Sequence, residues 1–451
     1  MLTSYFFLRP VLPHLGYCTT VQISKCPTKN KSVPFVNFYL NFVSNVPKIR
    51  INRIKTPTFA PFMRTYRLYF FFLFMGFCSQ IGAYSPVISR SPSDSLLYKP
   101  VPIYSFTAYY GIFVKHSARL TTRTGQQVLG GEISFSLQTR GAYPWQIAHR
   151  FPAVGAGVIW QNPGKGAHGN LVGVFPHMTL SLAQFKHLGV YFRVGTGLAY
   201  AQRPHNSFTN PNENALGSYW NNVTQFRFTA TGQLSPHLQA STGVSLTHFS
   251  NGSFELPNFG MNIPSLVLSL GYHKCPINRK NFNTITVQQN NKRRLGGQIN
   301  SNFARIEYVS LDGPKYLVWS VTGAATYLLH RYNRIAAGAE WEHNNGVESW
   351  LFNNTLLGND RSDAHQAANR LGVFVADEFL YGPLGIYIQG SYHIGAAPLN
   401  TFTLSRNYNK LSVRYYFPLW KNAPIKTNIG IYLKAYKAVA ESIGINFGVS
   451  F

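Results

Sequence analysis

The feature that most constrains this chain is a two-residue alternation of side chains, which runs from about residue 100 to the end. Large apolar residues alternate with small or polar ones in several segments, among them Val172 to Leu182, Val190 to Tyr200, Leu317 to Thr322, Leu384 to Gln389 and Asn428 to Lys434. Successive side chains of a β-strand point to opposite faces, so the pattern predicts strands with one apolar and one polar face. Turn clusters such as Asn162-Pro163-Gly164 separate the strands.

The last segment separates a membrane barrel from a soluble sandwich, whose strands also alternate. Apolar residues occupy every second position up to the terminus: Ile443, Ile445, Phe447, Val449 and Phe451. Serine, glycine and asparagine fill the positions between them. A final strand that ends in an aromatic residue resembles the recognition signal of bacterial outer-membrane barrels. The sequence therefore predicts an all-β, transmembrane antiparallel β-barrel, with aromatic girdles near the strand ends.

Composition agrees with this class and excludes others. Only 12% of residues are charged, against about 25% in soluble domains, and 15% are aromatic. The longest strongly apolar run, Leu68 to Phe77, is shorter than the roughly 20 residues of a helical span. A helical transporter, a soluble globule and a disordered chain are therefore all poor fits.

The N-terminal region has a different pattern from the rest. Residues 1–62 hold eight basic residues, no acidic one and no sustained periodicity, and we interpret them as an upstream extension outside the fold. A second methionine, Met63, then opens a basic stretch, a short apolar run and a small-residue end near Ala83. This order is typical of a secretory signal peptide, so we expect 63–83 to direct export.

Export changes the meaning of the charge and the cysteines. The whole chain has a formal charge of +27, but residues 1–83 hold ten of its 41 basic residues and none of its 14 acidic ones, which leaves +17. For an exported protein, an anionic lipid surface is a more natural partner than nucleic acid, and no nucleic-acid binding is expected. Cys275 is the one cysteine after residue 83, so no intramolecular disulfide can form there.

The mature chain divides into 84–275 and 276–451, separated by a polar, basic stretch from Cys275 to Leu295. The second part is expected to supply the remaining strands of one barrel. About 350 residues at 25 to 28 per strand predict 12–14 strands, an even number with both termini periplasmic. The alternative is an eight-stranded barrel that ends near His273, followed by a second β unit. The sequence does not fix the oligomeric state, and a homo-oligomer stays open.

One segment contains candidate catalytic residues. In the strand before residue 251, His248 and Ser250 share the face of Val244 and Leu246, which should meet lipid. Ionisable groups on such a face are costly and are functional candidates. Residues two apart on a strand lie about 6–7 Å apart at Cα, a gap that an imidazole can span, and a serine needs such a base to become a nucleophile. Asn262 has the same parity on the next strand and is placed to orient the imidazole through its side-chain carbonyl.

This segment resembles the lipid A deacylase family, also described as acyloxyacyl hydrolases, over roughly residues 100–273 and best over 239–273. The resemblance implies an outer-membrane barrel that hydrolyses an ester-linked acyl chain of lipid A, a component of lipopolysaccharide. It makes His248 the general base and Ser250 the nucleophile, and Asn251 matches a residue that helps to form the oxyanion hole. Backbone and side-chain amides near Asn251 and Gly252 would complete that hole.

The sequence departs from the family at the third catalytic position. The family has an acidic residue twelve positions after the serine, where this chain has Asn262. Asparagine fills this role in other hydrolases, so Asn262 is the first candidate. Glu255, the nearby carboxylate in the loop, is the second. No metal or cofactor is expected for this chemistry. The alternatives are a phospholipase and a non-enzymatic outer-membrane pore or scaffold.

A second cluster of polar residues lies further along the chain. Seven of the 14 acidic residues fall in one region: Glu340, Glu342, Glu348, Asp360, Asp363, Asp377 and Glu378. His343 and His365 lie among them. Such residues can bind a hard cation, but no fixed spacing supports a metal site. In the pore alternative, these acids and Arg193 would line a polar channel, since 12 or more strands leave space for one.

Overall fold

A computed structural model describes residues 98–164, 168–277, 279, 282–284, 294–353, 361–394, 405–418, 425–436 and 439–451. The expected extension and signal peptide, 1–62 and 63–83, lie outside the described residues. In the described part of the chain, no helix is long and apolar enough to cross a membrane.

Two closed antiparallel barrels of eight strands each follow one another along the chain. The first consists of β1 (Val101–Ile112), β2 (Gln127–Gln138), β3 (Ala153–Asn162), β4 (Leu171–Gln184), β5 (Leu188–Ala201), β6 (Trp220–Ser235), β7 (Leu238–Ser250) and β8 (Met261–Tyr272). A short helix, α1 (Pro144–Ala148), lies between β2 and β3. Pairing of β1 with β8, in a register that places Tyr104 opposite Tyr272, closes this barrel.

The second barrel consists of β9 (Leu295–Glu307), β10 (Lys315–His330), β11 (Asn333–Asn344), β12 (Asn369–Tyr381), β13 (Leu384–Ile394), β14 (Asn407–Pro418), β15 (Lys426–Tyr436) and β16 (Val439–Ser450). Two helices, α2 (Asn345–Asn353) and α3 (Arg361–Ala368), lie between β11 and β12. Pairing of β16 with β9 closes the barrel, with Asn446 opposite Asn302.

The all-β barrel class is confirmed, and the arrangement is the alternative one, an eight-stranded barrel followed by a second β unit. The residues that the structure describes form 16 strands in two barrels, instead of the expected 12–14 strands of a single barrel. The estimate was too low because it assumed long connections. Several adjacent strands are joined by two or three residues, at 185–187, 236–237, 331–332 and 382–383.

Outer faces of both barrels are apolar, as the alternation predicted. On β8, Leu266 and Leu268 are each 63% exposed, whereas Ser265 and Ser269 on either side of this pair are buried. The same alternation gives β12 exposed Leu371, Val373 and Val375. An outward apolar band with polar residues inside is the arrangement of a barrel that spans a membrane.

Interlocking side chains fill both interiors. In the first barrel, Arg193 donates to Glu132 at 2.5 Å and to Gln225 at 2.6 Å, and Tyr109 also contacts Glu132. In the second, the fully buried Lys434 contacts both carboxylate oxygens of Glu342 at 2.6 and 2.7 Å. Eight-stranded barrels leave room only for such side chains. Arg193 and Glu342 therefore form ion pairs inside two small barrels, and the barrel of 12 or more strands that the channel alternative assumed is not formed.

The barrels differ at their two ends. Longer connections, such as 202–219 and 251–260, lie at one end, which we call the loop end. The very short connections at 185–187, 236–237, 331–332 and 382–383 lie at the opposite end, which we call the turn end. Short turns face the periplasm and longer loops the exterior in bacterial barrels, so the loop end corresponds to the outer leaflet.

Candidate active site

The candidate site lies on the outer wall of the first barrel at its loop end. On β7, Val244 and Leu246 are 52% and 40% exposed, and His248 continues the same face. Ser245, Thr247 and Phe249 point inward and are buried. The histidine is therefore held among lipid-facing residues, as its parity predicted, where the cost of an ionisable group points to function.

Strand register brings His248 and Asn262 together. The two residues are opposite each other in the pairing of β7 with β8. His248 Nδ1 and Asn262 Oδ1 lie 2.6 Å apart, a distance at which the ring N–H donates to the amide carbonyl. That bond fixes the hydrogen on Nδ1 and leaves Nε2 with its lone pair, the form that a general base requires.

Ser250 ends β7 and is buried, with 4% of its surface exposed. Its Oγ accepts hydrogen bonds from Asn258 Nδ2 at 2.9 Å and from the backbone N–H of Gly252 at 3.3 Å. Two donors thus converge on the oxygen that would carry the acyl group. The sequence predicted no role for Asn258, because a residue in the middle of a loop belongs to no periodic pattern.

Asn251 supports the loop rather than pointing a free amide at the serine. Its side-chain nitrogen donates at 2.8 Å to both Ser218 Oγ and the Glu255 carbonyl. Its backbone N–H donates to Asn258 Oδ1 at 3.1 Å. Both kinds of donor on Asn251 are therefore occupied, and only Gly252 of the two expected oxyanion residues points an N–H at Ser250.

The neighbouring loop 202–219 holds the end of the 251–260 segment. Gly260 N–H donates to the Ala215 carbonyl at 2.8 Å, and Phe259 N–H donates to the Asn214 carbonyl at 3.2 Å. Gly260 has φ +77°, and a Cβ there would lie 2.7 Å from His248 Cε1. The glycine therefore permits both the left-handed backbone and the close approach of the imidazole.

The second barrel contacts the same segment from outside. Ser253 Oγ donates to the Ala440 carbonyl at 3.1 Å, and Glu307 N–H donates to the Ser253 carbonyl at 2.8 Å. Gly252, with φ +62°, lies so close to Ile443 that an added Cβ would be 2.6 Å from its backbone nitrogen. The segment between Ser250 and Asn262 is therefore enclosed by both barrels.

Glu255 is directed towards charged groups of the second barrel. Burial raises the pKa of its carboxyl, Lys315 counteracts that shift, and Glu307 and Asp312 add to it. His248 Nδ1 already donates its hydrogen bond to Asn262 Oδ1. Of the two candidates for the orienting residue, the structure places Asn262, and not Glu255, on the imidazole.

Taken together, two membrane-type barrels and an outward-facing His248–Asn262 pair beside Ser250 define an outer-membrane β-barrel protein with a hydrolase-like constellation. Residues 129–273 match the family model described as lipid A 3-O-deacylase (PagL), and residues 294–451 match that described as acyloxyacyl hydrolase, C-terminal domain. These two matches fall on the two barrels in turn. They confirm that the chain is related to the lipid A 3-O-deacylase and acyloxyacyl hydrolase family.

A search of curated proteins gave no match. Solved structures with weak similarity include OccK1 (OpdK) of Pseudomonas aeruginosa, with 11% identity over 78% of this chain and 98% of that chain and a TM-score of 0.21. The translocator domain of the autotransporter NalP from Neisseria meningitidis has 10% identity over 80% and 91% of the two chains, with a TM-score of 0.19. Such low TM-scores do not define a common architecture, so identity rests on the family matches.

Proposed function

We propose that this protein is an outer-membrane serine esterase that removes an ester-linked acyl chain from lipid A. The observation that carries the proposal is the hydrogen bond from His248 to Asn262 on the lipid-facing wall, with Ser250 two residues further along the same strand. A serine nucleophile, a histidine base and a residue that orients the histidine recur together in unrelated hydrolases. The family matches favour lipid A as the substrate class.

In the proposed reaction, Ser250 Oγ attacks the ester carbonyl carbon while His248 Nε2 takes the hydroxyl proton. The tetrahedral intermediate collapses when the bond to the lipid hydroxyl breaks, and the imidazolium returns its proton to that oxygen. Water, deprotonated by His248, then attacks the carbonyl carbon of the acyl-serine ester. The bond from that carbon to Ser250 Oγ breaks, the imidazolium returns the proton to Oγ, and the fatty acid is released. Nothing beyond water is consumed.

Two donors near Ser250 are suited to stabilise the oxyanion. We assign this role to Gly252 N–H and Asn258 Nδ2, which lie 3.3 and 2.9 Å from Ser250 Oγ. Both are held in place by the loop before any charge develops, which is the condition under which such donors lower a barrier most effectively. Asn251 then acts as a positioning residue through its bonds to Ser218 and Glu255.

The position of the site favours an amphipathic lipid. His248 lies on the same face as the exposed Val244 and Leu246, close to the loop end of the barrel. An acyl chain lying along that wall would bring the ester, at the boundary between tails and headgroup, level with Ser250. A phospholipid offers similar ester chemistry, so a phospholipase is the second candidate for the same site. The filled interiors argue against the pore alternative.

Mass spectrometry of lipid A from cells that express each variant tests the proposal. Wild type should remove one acyl chain, and Ser250→Ala or His248→Ala should leave lipid A intact. Ser245→Ala is the matched control, since this serine is on the same strand but faces the interior. Purified protein given lipid A or phospholipid in separate reactions distinguishes the two substrates. Unchanged lipid A with wild type, or full activity of Ser250→Ala, would contradict the proposal.

A further inference from the structure

A group of two histidines and a glutamate lies at the loop end of the second barrel, away from the candidate active site. Nitrogen atoms of His343 and His365 and a carboxylate oxygen of Glu348 all lie within 4.8 Å of one another. His343 is near the end of β11, Glu348 is on α2 and His365 is on α3. Three separate elements therefore converge on one point.

The two helices also pack against each other through apolar residues. Buried residues of both helices form one apolar cluster: Val347, Leu351, Ala364 and Ala368. Tyr308 and Trp350 pack against that cluster. The helix that carries Glu348 begins directly after β11, the strand of His343. The convergence is thus a property of the packed fold rather than of long, freely moving side chains.

The hydrogen bonds around His343 leave its other ring nitrogen facing a carboxylate oxygen. Asn369 Nδ2 donates to the His365 carbonyl at 2.9 Å, which turns Asn369 Oδ1 towards His343 Nδ1 at 3.1 Å. Nδ1 therefore carries a hydrogen, and in the neutral ring Nε2 is an acceptor. That acceptor faces Glu348 Oε2 at 3.1 Å. Two acceptors at this distance need either a second proton on the imidazole or a metal ion between them.

Distances and ligand types suit a metal ion. Glu348 Oε2 lies 3.1 Å from His343 Nε2 and 3.0 Å from His365 Nδ1. Ligands that are each about 2.1 Å from one ion are separated by about 3.0–3.4 Å, depending on coordination number. Two imidazoles and a carboxylate suit Zn²⁺ and its transition-metal neighbours, whereas Ca²⁺ and Mg²⁺ prefer oxygen ligands throughout. Asn369 supplies the outer hydrogen bond that metal-binding histidines commonly make.

Access also suits binding from solution. The side chain of His343 is 7% exposed, that of Glu348 20% and that of His365 60%. An ion can enter from the His365 side and keep water in its remaining coordination positions. His343 lies beside Trp319, which packs on Trp341 at the outer face, so the group is at the level of the interfacial aromatic residues rather than in the hydrocarbon.

We propose that His343, Glu348 and His365 form a binding site for one divalent transition-metal ion of the Zn²⁺ type, which ties α2 and α3 to the rim of the second barrel. This inference is independent of the esterase activity, since none of the three residues belongs to the candidate active site. It adds a metal to a chain whose sequence predicted none, because the three residues are joined by folding and not by a recognisable spacing.

Metal binding to the full-length, detergent-solubilised protein without a polyhistidine tag tests the site. After treatment with a chelator, the protein is titrated with Zn²⁺, with Mg²⁺ and Ca²⁺ present in excess to saturate any lipopolysaccharide. We expect one Zn²⁺ per chain in wild type. Asn369→Ala removes an outer hydrogen bond and should lower the affinity for Zn²⁺ about 10- to 100-fold. His343→Ala and His365→Ala each remove a ligand and should lower that affinity further.

Controls keep the result interpretable. His187→Ala removes an exposed histidine from the opposite end of the first barrel and should leave binding unchanged. His365→Ala changes a mostly exposed helix residue, so it tests the site even if the buried His343→Ala variant fails to fold. Absence of stoichiometric Zn²⁺ in wild type, equal affinity in His365→Ala, or loss of binding in His187→Ala would each overturn the proposal.

Discussion

His248 and Asn262 meet because β7 and β8 pair in a register that places these residues opposite each other. A shift by one residue would turn every side chain of a strand to the other face, so the apolar band that faces lipid also fixes the position of the imidazole. The hydrogen bond to Oδ1 is therefore a consequence of the same alternation that makes the barrel. At this position a neutral amide can orient the ring as a carboxylate would, although it does not stabilise the imidazolium by charge.

Replacement of Asn262 tests that orienting role. Asn262→Ala removes the acceptor at His248 Nδ1, so the ring loses its fixed tautomer, and we expect the rate of deacylation to fall at least about 10-fold with the barrel intact. Asn262→Glu restores an acceptor and should retain activity. Initial rates on purified lipid A, with folding checked by heat-dependent mobility on gels, provide the measurement. A larger loss in Glu255→Gln than in Asn262→Ala would assign the role to the loop carboxylate instead.

Residue parity predicted the strand faces of His248, Ser250 and Asn262, because period-two alternation states which side of a strand each residue faces. It was not enough for Asn258 or Ser218, which lie in loops and reach the site through tertiary hydrogen bonds. The role of the Asn251 side chain could not be predicted from the sequence either. Its position in the motif was visible, but its side chain is committed to Ser218 and Glu255, which only the folded loop reveals.

Among the elements, the 251–260 loop depends on a strand of the other barrel. Glu307, at the end of β9, is 2% exposed and accepts a hydrogen bond from Leu256 N–H at 2.6 Å. Its backbone N–H donates to the Ser253 carbonyl, and its carboxylate also pairs with Lys315. One side chain therefore joins the loop, β9 and β10. Sequence patterns did not indicate this contact, because Glu307 lies more than 40 residues from the loop.

Loss of the Glu307 carboxylate should loosen the loop. Glu307→Ala leaves the buried Leu256 N–H without its acceptor, at a cost of about 1–3 kcal/mol. We expect amide hydrogen exchange in residues 252–257 to become about 10- to 100-fold faster, and the turnover number on lipid A to fall more than the Michaelis constant changes. Glu307→Gln keeps a carbonyl acceptor and should behave nearly as wild type. Exchange followed by mass spectrometry gives the local readout.

Asp363→Ala, on the exposed side of α3, is a suitable control for that experiment. Since loop exchange is measured without substrate, it tests the contact even if the protein acts on a different lipid. Identical exchange rates in Glu307→Ala and wild type would show that the loop is held by the first barrel alone.

At the scale of the whole molecule, the two barrels contact each other at both ends. Loop-end contacts include hydrogen bonds of Ser253 and Glu307. Nearer the turn end, an apolar cluster buries Met178 against Phe379 and Tyr381. Apolar side chains that leave lipid for protein gain little from the hydrophobic effect, so close packing and a few polar bonds must supply the stability. Alternation could not reveal this interface, because a side chain that faces lipid and one that faces another barrel share the same parity.

The number of barrels was ambiguous for a related reason. Each strand shows where its apolar face is, but nothing in a strand states which neighbour closes the ring. The polar stretch from Cys275 to Leu295 was consistent with a long loop or a linker, and it connects the two barrels. Only the pairing of β8 with β1 and of β16 with β9 distinguishes two small filled barrels from one wide channel.

We expect acid to weaken the turn-end contact that His149 makes. This residue follows α1, and its Nε2 lies 3.0 Å from the Leu380 carbonyl of the second barrel, while its ring packs 4.2 Å from that of Tyr381. Burial lowers the pKa of His149 to about 4, although the Leu380 carbonyl opposes the shift. Because the folded pKa lies below the ordinary 6.5, the neutral ring's contribution to stability is complete above pH 6.5 and is lost as the pH falls towards 4.

That loss amounts to as much as about 3 kcal/mol, since each pKa unit corresponds to about 1.4 kcal/mol. In His149→Gln, the side-chain amide can still donate to the Leu380 carbonyl but does not titrate. We therefore expect the free energy of unfolding in detergent to fall more steeply between pH 7 and pH 4.5 in wild type than in this variant. Urea titration at each pH measures that free energy. His187→Gln, an exposed histidine at a turn, should follow wild type. Parallel pH profiles for wild type and His149→Gln would mean that this histidine is protonated without cost and that the barrels do not depend on its neutral form.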